Sequence, residues 1–165
     1  MKIKILDKSK KKNLLGKVRY LGIESLPGLL IRTGKEKIYA YSGDLSKEEI
    51  MALWGELRLE GIGLYIGKEI LDRKTGKRTF RLSIDALHLL QEQIKETIKL
   101  DKVQAELWLK GKDISLTNKQ VSDIKHEGGQ FIAVSDGEDI LGTGKLSQDK
   151  HVIYTYLPKE RRKKG

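Results

Sequence analysis

Residues 128–145 read GGQFIAVSDGEDILGTGK, and this stretch decides the fold of the second half of the chain. An apolar run from Phe131 to Val134 meets Asp136-Gly137, a pair suited to a tight turn, and a second arm follows from Ile140 to Lys145. This is the pattern of a β-hairpin. On its C-terminal side, HVIYTYL (151–157) alternates Val152, Tyr154 and Tyr156 with Ile153, Thr155 and Leu157, the period of a strand. On its N-terminal side, KVQAELWLKGKDI (102–114) is a short apolar segment broken at Gly111. Short strands with paired glycines and almost no helix signal predict a small barrel or closed sheet over 100–158.

The first half reads differently. GLLIRTG (28–34) and EKIYAYSG (36–43) are two short strands joined around Gly34-Lys35. Ser46 and Glu49 have capping-box spacing, and Ile50, Leu53, Trp54 and Leu57 follow at helical intervals, so SKEEIMALWGEL predicts an amphipathic helix. GLYIGKEILDRKTGKRTFRLS (63–83) is strand, turn and strand around Thr75-Gly76, with Leu64, Ile66, Ile70, Phe80 and Leu82 expected on one buried face. Ser83 caps a second expected helix, in which Ile84, Leu87, Leu90, Ile94 and Ile98 hold a 3.6-like period. The expected class is α+β, an N-terminal antiparallel sheet with helices over 1–99 and a small C-terminal β-barrel. No Gly/Ser linker separates the halves, so they are expected to pack together.

Charge is unevenly spread. The 165 residues carry a formal net charge of +10, which favours polyanionic partners. Residues 1–19 are net +7, 20–99 net +1, 100–158 net −2 and the tail 159–165 net +4. A single polyanion would therefore need both basic ends at one groove, or the ends are loose decoration and the folded core ends near Leu157. There is no cysteine, which excludes disulfides and thiolate metal sites and agrees with an intracellular, cytoplasmic protein (nucleolar if eukaryotic). Neither an export signal nor a run of some twenty apolar residues is expected, hence no membrane partner.

Chemistry finds little support. LDRKTG (71–76) resembles the strand-turn stretch that carries the catalytic aspartate of some pseudouridine synthases, which would nominate Asp72. Asp and Thr-Gly are expected in a hairpin turn for backbone reasons, however. His88, His126 and His151 have no metal-ligand spacing, and no phosphate-cradling glycine loop opens a helix. No enzyme activity, cofactor or metal is expected.

Several segments carry family likenesses. LWLKGKDI (107–114) resembles a strand and one-turn helix of PUA domains, the small RNA-binding β-barrels named for pseudouridine synthases and archaeosine transglycosylases. GGQFIAVSDGEDILGTGK resembles the next PUA hairpin, in which a hydrophobic-Gly-x-Gly-basic group recurs. KTGKRTFRLSIDALHLL (74–90) is similar to the end of the pre-PUA domain in two-domain ribosome-biogenesis factors. YLPKERRK (156–163) is similar to the basic end of the PUA-like region in NOL/NOP/Sun-type RNA methyltransferases. The resemblance implies a PUA-like barrel, binding of structured RNA (rRNA or tRNA) in ribosome biogenesis or RNA modification, and a protein partner on the preceding domain. A protein-protein adaptor in ribosome assembly and an accessory targeting subunit of an RNA-modifying enzyme are the alternatives.

The expected phosphate contacts are Lys10, Lys11, Lys12, Lys17 and Arg19 near the start, and Lys110, Lys112 and Lys145 inside the PUA-like motifs. Lys159, Arg161, Arg162, Lys163 and Lys164 complete the set in the tail. Tyr39, Tyr41, Tyr154 and Tyr156 are candidate stacking faces, although alternating tyrosines in strands more often face a core. The net acidic balance of 100–158 departs from the usual basic PUA surface.

Overall fold

The computed structural model describes residues 2–164. The chain divides into two compact units, one of Met1–Arg19 with Ile23–Ala86 and one of Tyr20–Gly22 with Leu87–Gly165.

The first unit is built on a five-stranded antiparallel sheet in the order β1 (Ile3–Ile5), β2 (Leu29–Thr33), β3 (Lys37–Tyr41), β4 (Leu64–Leu71), β5 (Arg78–Leu82). Helices α1 (Lys8–Gly16) and α2 (Lys47–Glu56) complete it. Strand periodicity gives the sheet two apolar faces. Ile31 packs with Ile50 of α2 and with Ile62 on one face, while Leu30 and Ile38 are buried on the other. The expected capping box forms in full: Ser46 Oγ accepts from Glu49 N, and Glu49 Oε2 accepts from Ser46 N.

Strict alternation fails in β4. A bulge opposite Ile38 and Tyr39 inserts one residue, so the positions beyond Ile66 exchange faces. Ile70 is consequently only half-buried, while Glu69, opposite Phe80, is buried instead; Leu64, ahead of the bulge, is exposed. Of the five residues expected on one buried face of this hairpin, Ile66, Phe80 and Leu82 alone are buried.

The second expected helix is shorter than its period. Ser83 Oγ does accept from Ala86 N, but α3 (Ile84–Leu89) stops where a one-turn 3-10 helix, Gln91–Gln93, begins. Ile98 lies in a strand. The division between the units falls within α3.

The second unit contains β6 (Ile98–Lys99), α4 (Lys102–Leu109), β7 (Ile114–Ser115), α5 (Asn118–Asp123), β8 (Phe131–Ser135), β9 (Ile140–Leu146) and β10 (Val152–Thr155). Its strands form one curled sheet, a half-barrel, in the order β6-β8-β9-β10-β7, parallel only between β6 and β8. The α+β class thus holds. Neither helix of the curled-sheet unit stands out in the sequence, yet both are fixed by capping boxes, Asp101 with Gln104 and Thr117 with Gln120. Trp108 of α4 is fully buried, and its Nε1 donates to Leu141 O at 3.2 Å. Gly144 makes room for it: a Cβ there would overlap Ile153 and stand 3.1 Å from the indole. Gly144 of the GTG group is thus a packing residue of this sheet, whereas Gly142 is set by its backbone, at φ +145°.

Candidate nucleic-acid interface

Helix α4 ends in a turn that sequence chemistry dictates. Gly111 takes φ +81°, a left-handed conformation that costs a side chain about 1–2 kcal/mol. Gly111 N donates to Trp108 O at 2.8 Å and Lys112 N to Leu107 O at 3.1 Å, the paired bonds of a Schellman motif. The turn leaves Lys110 and Lys112 exposed on either side of the glycine, and neither makes an ion pair among the described residues.

The C-terminal segment folds onto this turn. Leu157 is buried, and a one-turn 3-10 helix, Lys159–Arg161, follows Pro158. Arg162 Nε donates to Leu157 O at 3.0 Å. Its side chain lies over Gly111, where a Cβ would stand 2.5 Å from Arg162 Cδ. Lys163 N donates to Leu109 O at 2.7 Å, satisfying a carbonyl that the end of α4 leaves without a helical partner. Lys163 Nζ also pairs with Glu106 at 3.3 Å. The folded core therefore continues to Lys163 rather than ending near Leu157. Lys110, Lys112, Arg162 and Lys163 meet at one helix end, where the macrodipole also favours cations. Lys159, Arg161 and Lys164 are exposed beside them in sequence.

Three of the N-terminal candidates, Lys10, Lys11 and Lys17, make contacts within the fold. Lys17 Nζ sits 2.6 Å from Glu69 Oε2, and Arg32 and Arg78 reach Glu69 Oε1 at 2.9 and 3.6 Å. Three cations thus surround one carboxylate that is only 5% exposed. Lys11 Nζ donates to Gly28 O at 2.7 Å, and Lys10 pairs with Asp7, the N-cap of α1. A hydrogen bond with Lys10, and the charge of Lys10, hold the Lys4 ammonium below the usual lysine range. Lys12 and Arg19 are exposed.

Lys145 belongs to a third group. The β8–β9 and β9–β10 registers place Phe131, Lys145 and Tyr154 directly opposite one another, so their side chains share one face of the sheet. Lys145 Nζ lies 5.6 Å from the Phe131 ring centroid, and Tyr156 meets that ring edge-on at 5.3 Å. Tyr154 is 46% and Tyr156 38% exposed. By contrast, Tyr39 packs against Tyr65, and Tyr41 Oη accepts from Leu45 N. The two pairs of tyrosines therefore differ, and Phe131 is the member of this group that the sequence does not reveal. Its signal is the hairpin register, which pairs it with Lys145.

The candidate reacting groups are engaged structurally. Asp72 Oδ1 accepts from Lys74 N at 2.8 Å and caps its own turn. His88 Nε2 bonds Ile140 O at 2.8 Å, while His126 is buried. Several acidic residues of the second unit do similar work: Asp136 Oδ1 accepts from Asp139 N and Glu138 N, which hold its carboxyl below the usual range. Asp113 Oδ1 accepts from Thr155 N at 2.9 Å. The acidic balance of 100–158 is thus in part a demand of turn geometry. Among the described residues no group of three or more His, Asp or Glu side chains is placed to hold a metal ion, and no helix is long and apolar enough to cross a membrane.

No curated protein matches the chain significantly. Residues 95–163 match the family model of the methyltransferase RsmF PUA domain, a span that runs from just before β6 to the docked Lys163 and supports the likeness of this region to the PUA region of Sun-type methyltransferases.

Proposed function

We propose that this protein binds structured RNA through its PUA-like unit and performs no chemistry itself. The observation that carries this reading is the meeting of two sequence-distant basic segments, Lys110-Gly111-Lys112 and Arg162-Lys163, at the end of α4. Exposed ammonium groups on a rigid turn hold phosphates in register, and the Arg162 guanidinium laid over Gly111 adds its charge beside them. The match to a methyltransferase PUA domain supports an RNA partner; in this reading that partner is rRNA or tRNA, met in RNA modification or ribosome biogenesis, in the cytoplasm or nucleolus. In this reading the first unit is the place for a protein partner, as in two-domain ribosome-biogenesis factors.

A salt titration tests it. Lys110→Gln with Lys112→Gln is expected to weaken binding to folded rRNA and tRNA fragments at low salt. The slope of log affinity against log salt should fall by roughly 0.7 to 0.9 for each phosphate that the variant no longer neutralises. An unchanged slope removes the turn from the interface. If the intact protein retains no RNA at low salt, the adaptor reading replaces this one. Modified nucleosides formed by the pure protein, and absent with Asp72→Asn, would instead make it an enzyme.

A further inference from the structure

We propose that the row formed by Phe131, Lys145, Tyr154 and Tyr156 is a stacking platform for an unpaired base of the bound RNA. The inference rests on the RNA reading and specifies which RNA the site takes. A sheet normally hides its aromatics, and Phe131, at 7% exposure, follows that rule. Tyr154 and Tyr156 do not, and among the described residues they are the only aromatics in the set of exposed large hydrophobic side chains.

The platform is held from below and beside. Phe131 O accepts from Tyr20 Oη at 2.5 Å, and the edge-on packing of Tyr156 on Phe131 fixes two rings relative to each other. Lys145 adds a cation on the same face, within reach of a phosphate attached to a stacked base. The register of β10 with β7 pairs Val152 with Ser115 and Ile153 with Ile114. Beyond β7, Thr155 N donates to the side chain of Asp113 at 2.9 Å. The end of β10 between the exposed tyrosines therefore lies beside Asp113, the residue that follows the basic turn.

This combination suits one chemistry. A flat ligand with an apolar face needs the rings, and its charged linkages need Lys145 and Lys112. An unpaired nucleotide provides both, whereas a base inside a duplex has its faces covered by its neighbours. Base–aromatic stacking tolerates any base, so the expected preference is for loops, bulges or single strands rather than for a sequence.

The test uses the full chain and two RNAs of equal length, a perfect duplex and a hairpin with an unpaired loop carrying 2-aminopurine. Wild type is expected to bind the hairpin more tightly and to quench the loop fluorophore. Tyr154→Ala should weaken hairpin binding by roughly tenfold. It should abolish the quenching and leave duplex affinity, salt slope and melting temperature unchanged. Tyr154→Phe, which keeps the ring, should restore both hairpin affinity and quenching. Equal binding of hairpin and duplex by wild type overturns the platform while leaving phosphate binding by the Lys110–Lys112 turn in place. So does an equal effect of Tyr154→Ala on both RNAs, and so does capture of a protein partner that Tyr154→Ala abolishes while hairpin affinity stays intact. Failure of wild type to bind either RNA at low salt overturns the RNA reading and the platform with it.

Discussion

The lysines beside α1 and the lysines after α4 are equally basic in sequence but have opposite fates in the fold. Lys17 commits its charge to Glu69, shared with Arg32 and Arg78, and Lys11 holds the carbonyl of Gly28. Lys110 and Lys112 pair with no carboxylate among the described residues, and the folded C-terminal segment brings to them Arg162 and Lys163, the latter in an exposed pair with Glu106. A run of positive charge in a sequence is therefore not yet a positive surface. What decides is whether the fold supplies a counter-charge, and in the first unit a β-bulge does so by turning Glu69 inward.

The largest effect should come from removing that counter-charge. Glu69→Gln leaves Lys17, Arg32 and Arg78 facing one another around a neutral amide, and is expected to cost about 3 kcal/mol of stability. Lys110→Gln with Lys112→Gln should change stability by less than about 0.5 kcal/mol, because both side chains are exposed. Urea unfolding of the two variants measures this directly. Equal costs would erase the distinction between structural and available lysines.

An intermediate effect is expected at the turn. Deleting residues 159–165 removes the bonds from Arg162 Nε to Leu157 O and from Lys163 N to Leu109 O. The sequence alone suggests that such a truncation would barely touch stability. The structure instead implies a loss of about 1–2 kcal/mol, the worth of two hydrogen bonds and a reopened helix end. The truncation should also flatten the salt dependence of RNA binding. Gly111→Ala should lower the melting temperature too, since it strains φ and displaces the Arg162 side chain. A Gly111→Ala protein that melts and binds as wild type would show that the segment is not seated on the turn.

Local patterns carried most of the fold. The hairpins around Gly34-Lys35, Thr75-Gly76 and Asp136-Gly137 and the helix opened by Ser46 follow from turn chemistry, periodicity and one capping box. Helices α4 and α5 open on capping boxes of the same kind, but only eight and six residues follow each, too few for helical periodicity to stand out. Ile94 and Ile98 fit a helical period that the chain abandons after Leu89, because Ile98 gains a parallel partner in Val134. The charges of the candidate site were legible one by one. Their union was not, because it depends on Lys163 reaching Leu109 across the unit, and no local rule encodes that pairing.

The smallest effect concerns the other buried titratable group. Glu69 is buried with three partners, whereas His126 is buried with an Nε2 that has no hydrogen-bond partner and lies 3.8 Å from Glu96 Oε2. The edge-on ring of Tyr20 covers it at 5.7 Å. Burial pushes the imidazole below its ordinary value of 6.5; Glu96 opposes this and Lys150 adds to it. The folded state therefore holds the neutral ring, and the unfolded chain takes up the proton first as the solution is acidified. Stability from His126 is complete above its ordinary value and is lost as pH falls from there through the lower folded value. The loss should amount to less than about 1 kcal/mol between pH 7 and pH 6. Glu96→Gln removes the group that favours the charged ring and should deepen the acid loss, whereas His126→Gln should flatten it. Urea midpoints measured from pH 7.5 to pH 5 separate these cases. Identical profiles for wild type and both variants would mean that His126 is as well accommodated as Glu69, and the contrast between the two buried groups would fail.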